Sequence, residues 1–160
     1  MNKNLLQLAV LLLVSAAILT ATSCKKDDDE KSKTEMLASG SWKMSAWQID
    51  PPIDFQGLTY SDLYALLPDC SKDDFTTFND DGTFVDDEGP TKCDEGDPQT
   101  IPGTWSLNED AMVITLTQQG ETYMYDVKEI TESKFVLVFE EMEEFGNGEQ
   151  MYTNTITFVK

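Results

Sequence analysis

The chain of 160 residues contains no Arg and no His; all 11 basic side chains are Lys, set against 30 acidic ones for a net charge of −19. Each absence excludes something. Without His, the commonest general base near neutral pH and the commonest metal ligand are missing. Without Arg, no planar fork exists to clamp a carboxylate or phosphate on two sides. A surface this negative repels phosphate backbones, so a nucleic-acid partner is not expected. No G-x-S-x-G elbow, phosphate loop or H-E-x-x-H occurs, and no catalytic residue, cofactor or metal site is expected. Most carboxylates fall in turns or on wet strand faces, where they ionise freely and make poor general acids.

Cysteine is scarce: Cys24, Cys70 and Cys93. Without a C-x-x-C pair or a His, a zinc set cannot be completed. A long membrane-spanning run is also lacking. Leu5 to Leu19 is apolar apart from Gln7 and Ser15, too short to span a bilayer well. What precedes and follows it is informative. Lys3 gives a positive start, and Ala21, Thr22 and Ser23 are small residues directly before Cys24. That order is the charged, greasy and small-residue sequence of a secretory signal over residues 1–23. With the cysteine in place it resembles a bacterial lipoprotein signal. The resemblance implies that Cys24 becomes the first mature residue and carries diacylglycerol, making the membrane a partner through lipid.

Residues 24–36 are charged and poor in apolar side chains, as in a solvated tether. Lys25, Lys26, Asp27, Asp28 and Asp29 resemble the export signal of surface lipoproteins in Bacteroidetes-type bacteria. The resemblance implies an outer-membrane protein displayed at the cell surface, with the periplasmic face as the alternative. An exported compartment permits a disulfide, and Cys70 and Cys93 allow one pairing. Residues 69–97 hold eleven acids against Lys72 and Lys92, so a crosslink there would offset self-repulsion.

From residue 37 onward, short β-branched and aromatic runs alternate with turn residues. Strands are predicted at 42–49, 74–78, 83–87, 101–107, 112–117, 122–130, 134–141 and 150–159. Asp50-Pro51-Pro52 should stop the first. Leu58 to Leu67 carries apolar residues at helical spacing, with Pro68 to end it, and predicts one short helix between the first two strands. Short links favour an antiparallel meander, and eight such strands close into a small up-and-down barrel. Period-two alternation puts Ile114, Leu116, Tyr123, Tyr125, Phe135, Leu137, Phe139, Tyr152, Ile156 and Phe158 inside. It leaves Trp47 and Ile49 as outward alternates, free to meet a protein partner.

Three motifs add to this: Gly40-Ser41-Trp42, Phe78-Asn79-Asp80-Asp81-Gly82-Thr83-Phe84, and Gly103-Thr104-Trp105. An F-x-x-D-G-T-F hairpin between two G-x-W strands resembles the lipocalin-like domain of small Bacteroidetes lipoproteins, over residues 37–160. The resemblance implies a calyx with a binding site. It also implies an Arg stacked on the first Trp, which this chain lacks. The candidate pocket residues are Trp42, Trp105, Tyr123, Tyr125, Phe139 and Tyr152, for a small hydrophobic or glycan-like ligand. A cavity of several hundred Å³ lined by the three tyrosines would favour ligand binding. A filled barrel would favour a structural or protein-interaction module.

The acidic hairpin also invites a calcium reading. Asn79, Asp81, Gly82 and Glu88 fit a twelve-residue calcium loop, but Thr77 stands where its first Asp belongs. Asp86, Asp87, Glu88, Asp94, Glu95 and Asp97 leave a looser oxygen-rich cluster as a lesser alternative.

Overall fold

The computed structural model describes residues 31–160, apart from 56, 146 and 147. The expected signal segment, Cys24 and the five export residues Lys25 to Asp29 lie outside the described residues. Lys33–Met36, read from the sequence as the end of the tether, belong to a helix, α1 (Lys33–Leu37). Ser32 caps it: the Glu35 amide donates to Ser32 Oγ, and the Ser32 amide donates to the Glu35 carboxylate at 2.7 Å. The helix is fixed by what it buries, because Leu37 is fully enclosed against Trp42 and Phe135 in the core.

Among the described residues nine strands follow: β1 (Ser41–Phe55), β2 (Leu58–Asp62), β3 (Phe75–Phe78), β4 (Thr83–Asp87), β5 (Thr100–Leu107), β6 (Val113–Gln118), β7 (Glu121–Ile130), β8 (Lys134–Glu143) and β9 (Gln150–Val159). All pairings are antiparallel, and β1 pairs with both β3 and β9. Eight strands therefore close into a barrel, with β2 as a ninth, paired only to the far end of β1.

Three details depart from the sequence reading. β1 does not stop at Asp50. Its ladder to β9 ends at Asp50, and its ladder to β2 has a gap between Gln48 and Ile53. Pro51 and Pro52, which have no N–H to give, sit where neither ladder needs one. The helix expected over 58–67 is a strand, β2, followed by two 3₁₀ turns, Tyr64–Leu66 and Asp69–Lys72. Leu58 and Leu66, part of the supposed helical stripe, are exposed. Tyr60 pairs with Ile53 across β1–β2, so the segment is held by β-ladder and not by a helical face.

The third departure is a bulge. Between Met44 and Ala46 the β1–β9 register slips, and Trp47 then pairs with Ile156 and Ile49 with Asn154. One extra residue reverses every later side chain. Trp47 and Ile49, expected outside, therefore point in, and Ile49 is 3% exposed.

The core divides in two. The larger cluster fills one end of the barrel with Leu37, Trp42, Phe78, Phe84, Trp105, Phe135 and their neighbours. Ring pairs knit it together, including Phe78–Trp105 at 5.2 Å and Trp42–Phe135 at 5.9 Å between centroids. The sequence motifs meet here. Gly82 takes a positive φ of 81° to turn the β3–β4 hairpin, and the Trp105 amide and indole donate to the Gly82 and Asn79 carbonyls. A Cβ on Gly103 would stand 2.4 Å from the Phe84 ring, so the second G-x-W glycine makes room for the second hairpin phenylalanine. The Trp42 indole donates to the Leu37 carbonyl at 2.7 Å. Lys160 takes the place of the missing Arg: its ammonium lies 4.4 Å from the centre of the Trp42 ring and donates to Met36 O and Ser39 Oγ. Partial burial lowers the Lys160 pKa. The smaller cluster, Ile49, Ile53 and Tyr152, packs with Tyr60, Leu63 and Phe145 beyond the other end.

Candidate functional site

Two adjoining cavities lie toward the end opposite the Trp42 cluster. The larger, of about 320 Å³, is lined by Trp42, Met44, Trp47, Phe158 and Ile101, by Leu67 and Ser71 from the 3₁₀ segment, and by Asp74, Asp86, Asp87 and Glu88. The smaller, of about 190 Å³, is lined by Leu116, Gln118, Tyr123, Tyr125, Leu137 and aromatic residues of the core. Both have Thr76, Asp86 and Phe158 in their walls.

Strand parity explains the polar wall. Trp42 pairs with Thr76, and Thr76 with Asp86, so all three share the inner face. Asp74 and Glu88 lie just beyond the ends of β3 and β4 and border the same cavity, as does Asp87 at the end of β4. Asp86 accepts from Thr76 Oγ1 and from Gln118 Nε2, the latter at 2.8 Å. Both donors are neutral, and no ion pair among the described residues engages Asp86. Asp74 Oδ1 is sheltered from solvent with no hydrogen-bond partner. Burial, then the charges of Glu88, Asp73, Asp86 and Asp87, push the Asp74 carboxyl above its ordinary value of 3.8.

Opposite these acids, the Trp47 indole donates to Asn154 Oδ1 at 2.8 Å, and Asn154 Nδ2 donates to Glu141 at 2.7 Å. Asn154 is fully buried, and this chain of bonds satisfies it while fixing the Trp47 ring. The disulfide Cys70–Cys93 joins the second 3₁₀ turn to the loop after β4. It ties together two segments that supply Ser71 and Glu88 to the cavity wall.

The six candidate pocket residues are not gathered in one place. Trp42 borders the larger cavity and Tyr123 and Tyr125 the smaller, their rings stacked at 6.4 Å. Phe139 packs on Tyr125 at 5.2 Å without lining either cavity named here. Trp105 belongs to the filled end, and Tyr152 to the separate cluster with Ile49. The three tyrosines therefore do not share a chamber: Tyr152 lies near the start of β9 and is held by Phe145 at 5.1 Å. Sequence reasoning missed Trp47, hidden by the bulge, and the inward acids Asp74, Asp86 and Glu88. The signal for the acids was present in the alternation Asp74-Thr76-Phe78 and Phe84-Asp86-Glu88. The residues of the calcium-loop reading form the β3–β4 hairpin, where Asp81 accepts from the Thr83 hydroxyl and amide. Among the described residues no three Asp, Glu or Cys side chains converge as a metal site would require.

The lipocalin-like domain family matches residues 39–137, and the chain belongs to that family. Among solved structures, a protein of the DUF4847 family from Bacteroides vulgatus is similar, at 15% identity and a TM-score of 0.46, over 80% of this chain and 96% of that one. No curated protein matches the sequence significantly. A lipocalin-like barrel is a ligand-binding or structural domain.

Proposed function

We propose that this chain is a lipid-anchored, non-catalytic binding domain of the bacterial envelope that takes a small, largely apolar molecule into the cleft bordered by Trp42, Trp47 and Phe158. One observation carries the reading: the barrel is filled at one end only, and about 320 Å³ remains open beside those aromatics. The anchor rests on the segment Leu5 to Cys24, and display outside the outer membrane on Lys25 to Asp29. Native mass spectrometry of protein from its own host tests both parts. The expected spectrum has diacylglyceryl mass on Cys24 and a co-purifying small molecule. An unmodified chain starting at Met1 overturns the anchor.

The second reading is a structural or protein-interaction module. It is favoured by exposed Leu58, Leu66, Met142 and Met151 on β2, the first 3₁₀ turn, β8 and β9. If replacing Trp47 by Ala leaves small-molecule binding unchanged while replacing exposed Leu58 and Met151 by Ser abolishes capture of an envelope protein, this second reading prevails.

A further inference from the structure

We propose that the cleft selects an organic ammonium, one positively charged nitrogen carried on an apolar body. The inference rests on the cleft being a ligand site, as proposed above, and adds the chemistry of the ligand. Four carboxylates, Asp74, Asp86, Asp87 and Glu88, border the larger cavity, and no Lys lines it. The ion pairs among the described residues are Lys31–Glu132, Lys72–Asp69 and Lys134–Glu129, and none engages these four. Acids that border one cavity without an ion-pair partner among the described residues repel one another, and a cation between them relieves that repulsion. The opposite wall is indole and phenyl, which covers an apolar body and attracts an ammonium through its π face. A bare metal ion would leave that apolar wall without a role and would require oxygen ligands to converge, which among the described residues they do not. An apolar ligand with a carboxylate head meets like charge at the same wall and is rejected.

The test uses three probes with one skeleton: 4-phenylbutylamine, 4-phenylbutanol and 4-phenylbutanoate, titrated calorimetrically into the purified protein with its disulfide intact. The expected order is amine first by about tenfold or more over the alcohol, with the carboxylate weakest. In the double variant Asp74→Asn/Glu88→Gln, which loses repulsion and should fold at least as well, amine and alcohol should come within about twofold of each other. Equal binding of all three probes overturns the charge preference and leaves the cleft as a site. No binding of any probe overturns both readings. An undiminished amine preference in the double variant overturns the assignment to these carboxylates.

Discussion

The two ends of this barrel use one inner face in opposite ways. At the closed end the inward positions are Phe78, Phe84, Trp105 and Phe135, which pack on one another as one buried cluster. Two residues further along the same strands the inward positions are Thr76 and Asp86, followed by Asp74 and Glu88, and the interior opens. Strand number does not change between the ends. The cleft arises because inward side chains switch from large rings to carboxylates and hydroxyls that cannot meet across an apolar gap. Closure and cavity are thus settled by different residues on the same β3–β4 hairpin.

Breaking the closed end should have the largest effect. Phe78→Ala removes a buried ring that touches Phe84, Trp105 and Phe135, and should cost about 3–5 kcal/mol. Denaturant unfolding measures it, and a cost below about 1 kcal/mol would mean that the end relaxes to fill the void. The crosslink comes next. Cys70→Ser/Cys93→Ser frees a 23-residue separation, for which the chain-entropy estimate is about 3 kcal/mol. Because the bridge binds two segments of the cleft wall, this variant should weaken probe binding as well as stability. The closed-end variant, measured where it remains folded, should keep the order of probe affinities.

Removing one charge at the open end should have the smallest effect, with the opposite sign. The Asp74 carboxyl titrates above its unfolded value, so the folded protein holds that proton more readily than the unfolded chain. Its ionisation therefore destabilises the fold at neutral pH. The penalty is relieved as pH falls through the raised folded value toward 3.8. Asp74→Asn should unfold at a slightly higher temperature than the parent at pH 7, and the difference should close on acidification. A lower melting temperature at pH 7 would show that the Asp74 carboxylate has a compensating partner. Asp81 behaves in the other sense, since the Thr83 hydroxyl and amide hold its carboxyl below the ordinary value. Its contribution is present above its unfolded pKa and disappears as pH falls through the lowered folded one.

The strands were legible because β-branched and aromatic residues alternate with period two, and each of the eight predicted strands overlaps an observed one. The Cys70–Cys93 bridge was legible from the pairing arithmetic, together with the compartment that the sequence led one to expect. The bulge near Ser45 was not, because one inserted residue leaves no mark on composition yet turns Trp47 and Ile49 inward. β2 was hidden for another reason: Leu58, Leu63 and Leu66 match a helical spacing by position, while only Tyr60 and Leu63 pack on the Ile49 cluster. The acids of the cleft were misplaced by their chemistry. A charged side chain is ordinarily a solvated one, and here parity outweighs that expectation for Asp74, Asp86 and Glu88.

The latch formed by Leu37, Trp42 and Lys160 has a mechanical consequence. The chain enters the described unit at the filled end, where Lys31 pairs with Glu132 at 3.0 Å and the last residue returns to clasp Met36. A pull applied at Lys31 meets α1 and the Trp42 indole first. Because the Trp42 ring also borders the larger cavity, load at this end and a ligand in the cleft act on the same side chain.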